Sequence, residues 1–123
     1  ILIPGHTPGS LGLIFPVKDG GTTHKAALFG GTILNPTRIT NEGLKQYRDS
    51  IENFSQYAWD MKVDVEIQNH PLYDEMQNKI SLLKTRGTGA QHPFVVGQEA
   101  YQDFLGVMSE CTKVEQARRA AVH

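Results

Sequence analysis

The chain opens on Ile1-Leu2-Ile3-Pro4-Gly5-His6-Thr7-Pro8-Gly9-Ser10, an apolar run that breaks at once into a proline- and glycine-rich turn with a histidine inside it. A short strand that ends this way holds a side chain rigidly and leaves it accessible, the setting that a metal ligand or a general base requires. The start lacks Met and enters directly on strand-like residues, so it reads as a chain entered in mid-domain, with no signal peptide in view.

The same punctuation continues outward. Leu11–Phe15 and Ala26–Phe29 read as strands, and Asp19-Gly20-Gly21 between them reads as a hairpin turn. Gly30-Gly31-Thr32 then forms a further turn. From Asn41, the residues Leu44, Tyr47, Ile51, Phe54 and Ala58 recur at steps of three and four, which predicts a helix of about four turns with one apolar stripe. Val63, Val65 and Ile67 alternate with Asp64, Glu66 and Gln68, the period of a strand with one buried face, and the strand ends on Asn69-His70-Pro71. Met76, Ile80 and Leu83 suggest a shorter helix stopped by Arg86-Gly87-Thr88-Gly89. A last helix is expected from about Gly97, with Ala100, Phe104, Val107, Met108, Cys111 and Val114 on one face, followed by a polar tail, Glu115 to His123, frayed at its end. Strands followed by helices, then a strand and more helices, indicate one layered α/β domain over residues 1–123.

Composition narrows the function classes. At 123 residues the chain suits one core; 12 Lys+Arg against 13 Asp+Glu leave a net charge of −1 with no block of like charge. That is no footprint for nucleic acid or an anionic membrane, and the longest apolar runs are too short to span a bilayer. The single Cys111 forbids an intrachain disulfide; on an apolar helical face, without neighbouring cations, it reads as a small buried residue. Asn53-Phe54-Ser55 fits a glycosylation sequon but falls within the expected helix, where chance explains it better. The compartment is open.

Among five histidines, His6 and His70 share a setting, each following an apolar strand and entering a turn. They are far apart in the chain and can meet only through tertiary structure. The pattern alone fits a ligand or an ordinary hydrogen-bonded residue. His24, beside the hairpin turn, His92, in a proline-containing loop, and His123, at the last position, read as solvated.

The turn Gly5-His6-Thr7-Pro8-Gly9-Ser10, together with Asn69-His70-Pro71 after a strand, resembles the C-terminal half of the metallo-β-lactamase superfamily, and the order of elements matches that half over residues 1 to about 75. The resemblance implies half of an αββα sandwich: a mixed sheet with helices on its outer face, and a metal site at one edge. It implies zinc, one or two ions in the complete enzyme, with His6 completing the first metal site and His70 serving the second. Two features depart from the family. The HxHxDH motif of the N-terminal half, which supplies most remaining ligands, does not occur here. The turn that in many members is Gly-Asp-Thr, with a metal-bridging Asp, is Gly30-Gly31-Thr32, which places the sequence nearer the β-lactamase-like branch that lacks this Asp. Thr32 would then sit where a hydroxyl can orient a metal-bound water.

The implied reaction is hydrolysis of a lactam, a lactone or another small-molecule carbonyl substrate by hydroxide formed on zinc at neutral pH. Two imidazoles make too small a ligand set for zinc, so the isolated chain is expected to be inactive. A half sandwich also exposes the inner face of its sheet, so the chain is expected to self-associate or to need the missing half. The competing reading is a non-catalytic α/β interaction or structural module in which both histidines are packed.

Overall fold

A computed structural model describes residues 1–122; His123 lies outside the described residues. Strands β1 (Gly12–Asp19) and β2 (Thr22–Phe29) form an antiparallel hairpin. Gly20, in the two-residue turn, has φ +58°, the left-handed value that such tight hairpins need at their first central residue. Helix α1 (Asn41–Asp60) follows, capped by Thr40, whose hydroxyl accepts the Gly43 N–H at 3.0 Å. Strand β3 (Val65–Ile67) then adds to β2 in parallel, giving the mixed sheet order β1-β2-β3. A single 3₁₀ turn (Pro71–Tyr73), α2 (Met76–Lys84) and α3 (Gln98–Ala120) complete the chain. Among the described residues no helix is long and apolar enough to cross a membrane.

One face of the sheet is covered. Gly12, Ala27 and Phe29 lie beneath α1 and α3, where Tyr47, Ile51, Phe54 and Ala58 meet Tyr101, Leu105 and Met108 in the core. Phe29 sits edge-on to both Tyr47 and Phe54, with ring centroids 6.0 and 5.3 Å away. The other face is open: Leu11, Leu13 and Phe15 are 54, 51 and 36% exposed.

Three expectations are corrected. Ile1–Ile3 is not a strand; Leu2 makes one bridge to Leu11, although Ile3 is fully buried. Around β3, Val63 and Val65 are buried as expected, but the polar residues that alternate with them do not face solvent. Parallel pairing aligns Glu66 with Ala27, so Glu66 and Gln68 go under the helices and are buried, while Val65 and Ile67 take the other face. In α3 the buried face carries Tyr101, Leu105, Met108, Ser109, Thr112 and Glu115, and the apolar stripe through Val107, Cys111 and Val114 faces solvent. Thr112 can be buried because its hydroxyl donates to Met108 O at 2.8 Å within its own helix. The helix runs on to Ala120, and Arg119 anchors it by donating to Pro36 O, Ile39 O and Asn41 Oδ1 at 2.7, 3.0 and 2.9 Å.

Candidate metal centre

The turn over residues 4–10 is locked onto α1. Gly5, with φ +140°, lies so close to Tyr47 that a Cβ there would meet the Tyr47 backbone at 2.4 Å, and Ser50 Oγ donates to Pro4 O at 2.7 Å. Within the turn, Ser10 N donates to Thr7 O, and the two hydroxyls bond at 2.8 Å. His6 is thereby aimed at the end of the sheet. Its Nδ1 lies 2.6 Å from Ile33 O; a carbonyl only accepts, so Nδ1 carries the proton and Nε2 presents a free lone pair. Gly31, at φ +85°, forms the seat of the ring: a Cβ there would lie 2.6 Å from His6 Cβ and Cγ.

His70 arrives from the tip of β3, immediately before the 3₁₀ turn whose Tyr73 N–H returns to His70 O at 3.1 Å. The two imidazoles stand with ring centroids 6.1 Å apart and planes at 65°. His70 Nδ1 is buried and has no protein partner. Both rings line a cleft of about 530 Å³, together with Asn35, Arg38 and Glu42. Arg38 has no ion-pair partner among the described residues.

Thr32 is buried just behind Gly31. Its hydroxyl proton points to Phe29 O, at 3.2 Å, and to Gln68 Oε1. Gln68 was missed by sequence reasoning, since β3 was expected to turn that residue to solvent. Gln68 Nε2 in turn donates to Glu66 Oε1 at 3.2 Å. Burial pushes the Glu66 carboxyl up from its ordinary value, partly offset by Lys79.

The remaining histidines lie elsewhere. His24 is not solvated: its Nδ1 meets Asp64 Oδ2 at 2.6 Å at the far end of the sheet. His92 is likewise half-buried, its Nδ1 accepting the Phe94 N–H. Cys111 is exposed on α3 and has no part in the cleft.

Two exposed-edge imidazoles on rigid strand tips, one with Nε2 free and one with an unpartnered buried nitrogen, fit a borderline metal ion as two of its ligands. Among the described residues no third His, Cys, Asp or Glu joins them to make a metal-holding group.

No family model matches the chain, and no curated protein matches its sequence. Solved structures do match its fold. A subclass B3 metallo-β-lactamase of Bradyrhizobium japonicum, BJP-1, superposes with a TM-score of 0.72 at 26% identity, covering 98% of this chain and 44% of that one. Native FEZ-1 metallo-β-lactamase from Legionella gormanii gives 0.79 at 22% identity over 97% of this chain and 45% of its own. The metallo-β-lactamase GOB-18 from Elizabethkingia meningoseptica gives 0.61 at 14% identity, covering 96% and 43%. The chain therefore spans less than half the length of the solved proteins it matches. With its mixed three-stranded sheet and outer helices, it carries the fold of the metallo-β-lactamase superfamily and corresponds to the C-terminal half of that domain.

Proposed function

We propose that this chain is the C-terminal portion of a zinc-dependent hydrolase acting on a lactam, a lactone or another small carbonyl compound, with His6 and His70 as metal ligands in a site completed by donors outside the described residues. The observation that carries this reading is the meeting of the two strand-tip histidines in the wall of one cleft. A zinc ion bound there supplies Lewis acidity, which makes water nucleophilic near neutral pH. The chain's own residues bind and orient. His6 offers Nε2 because Ile33 O holds its other nitrogen protonated, and the Gly31 seat prevents the ring from rotating away. A carbonyl substrate in the cleft would lie among the imidazoles, Asn35 and Arg38, where the guanidinium is free to receive a polar or anionic group. Thr32, with its proton committed to Gln68 and Phe29 O, can meet a water only as an acceptor.

The purified chain should turn over neither a chromogenic β-lactam nor a simple lactone. Joined to the N-terminal half of a solved neighbour such as the Legionella gormanii enzyme, it should gain zinc-dependent hydrolysis that His6→Ala and His70→Ala each abolish. Zinc-dependent turnover by the chain alone would refute the divided site; a folded, zinc-loaded chimera indifferent to both substitutions would refute the ligand assignment.

The absence of a third ligand among the described residues favours one other reading, a non-catalytic module with packed histidines. In that case His6→Ala and His70→Ala would change stability alone.

A further inference from the structure

The ladder between β2 and β3 ends at the pair Leu28 and Ile67. Beyond it the chain runs into two separate tips: residues 30–33, which seat His6, and residues 68–70, which carry His70. Among the described residues one hydrogen bond joins these tips, from Thr32 Oγ1 to Gln68 Oε1. Each partner is anchored at its back. Thr32 also donates to Phe29 O, and Tyr47 Oη donates to Gly31 O and Thr32 O, both at 3.1 Å. Gln68 donates from Nε2 to Glu66 Oε1 at 3.2 Å. Thr32, Gln68 and Glu66 are 6, 3 and 7% exposed, so little water competes for these bonds, and a buried amide left unpaired is costly.

The placement is specific to the two histidines. Gly31, next to Thr32, packs closely against the His6 side chain, and the Ile33 carbonyl, on the other side of Thr32, accepts a hydrogen bond from His6 Nδ1. Gln68 stands two residues before His70. An amide is the side chain suited to this position, because it accepts from a hydroxyl at one atom and donates to a carboxyl oxygen at the other.

We propose that Gln68 is a positioning residue: through Thr32 it clamps the two strand tips together and sets the separation of His6 and His70. The role bears on metal binding only through the reading that the two histidines act as joint ligands, but the clamp itself concerns geometry and can be read without metal.

The test uses the 123-residue chain with isotope-labelled histidine. Wild type and Thr32→Ser, which keeps the hydroxyl, should show a ring-to-ring nuclear Overhauser cross-peak between His6 and His70. Gln68→Met, of similar size without the amide, and Thr32→Val, which removes the same bond from the other end, should lose it while far-UV circular dichroism is unchanged. Ser55→Ala, which breaks a buried-edge bond to Gln102 between α1 and α3, should keep it. Titration with zinc alone should show affinity about tenfold weaker in Gln68→Met, the scale expected when ligand-supporting contacts are lost. Folded Gln68→Met or Thr32→Val proteins that retain the cross-peak would overturn the clamp. Failure of both to fold would also overturn it, since the bonds would then determine the fold rather than the spacing. A wild type with the cross-peak but no zinc affinity would sustain the clamp, and would agree with a metal site that needs donors outside the described residues.

Discussion

Gly31 shows how much of the candidate centre depends on single atoms. Its φ of +85° and its contact with the His6 ring leave no room for a side chain. Gly31→Ala should cost about 1–2 kcal/mol from the left-handed backbone alone, and more if the ring is displaced. Urea denaturation measures the loss, and a changed His6 ring environment in NMR spectra would mark the displacement. At this scale the sequence was partly legible. His6 and His70 stood out because proline and glycine turns frame them, a purely local signal. Gln68 did not, because its meaning depends on Thr32, far away in the chain, and on which face of β3 is covered. Cys111 misled for a similar reason: an apolar neighbourhood along a helix says nothing about which side the rest of the molecule occupies.

Among the elements, α1 was the most readable, since its stripe from Leu44 to Ala58 is the face that is buried. Its N-terminus is capped by the Thr40 hydroxyl, so Thr40→Ala should lower stability by about 1 kcal/mol, seen as a reduced Tm with the centre otherwise intact. The end of α3 is held electrostatically. Hydrogen bonds from Arg118 and Arg119 depress the Glu115 pKa to about 2. A lowered carboxylate pKa stabilises the fold above the unfolded value of 4.5 and loses that contribution as pH falls toward 2. Glu115→Gln should therefore flatten the acid limb of a stability–pH curve measured by thermal melts. Glu66 has the opposite sign. Burial raises its pKa, so its contribution is fullest below 4.5 and fades as pH rises through the folded-state value. Glu66→Gln should remove that decline, leaving the variant at least as stable as wild type at neutral pH. Faces of β3 and α3 were misjudged because polarity was equated with exposure. Glu66, Gln68, Thr112 and Glu115 are buried with partners, and a partnered polar group tolerates burial.

For the whole molecule, the open sheet face is the dominant feature. The chain exposes 7529 Å², about 900 Å² more than a compact monomer of its mass and close to the ~800 Å² that each partner contributes to a standard interface. We expect this face to associate, with itself or with a complementary half. Sedimentation of the purified chain should show species heavier than 13.7 kDa, and Leu13→Lys should shift them toward the monomer without lowering the denaturation midpoint. A monodisperse wild-type monomer at high concentration would contradict this expectation.

The sequence by itself determined the order of strands and helices after residue 10, the hairpin, the start and buried face of α1 and the two turns that present His6 and His70. Each of these follows from periodicity or from proline and glycine within a few residues, and so needs no knowledge of distant neighbours. Tertiary structure alone decided which faces of β3 and α3 are covered, that His24 pairs with Asp64, and that Thr32 is spent on Gln68. It also brought the two imidazoles to 6.1 Å. These outcomes depend on the parallel register of β2 with β3 and on how α1 and α3 lie across the sheet, relations between segments that no local pattern encodes.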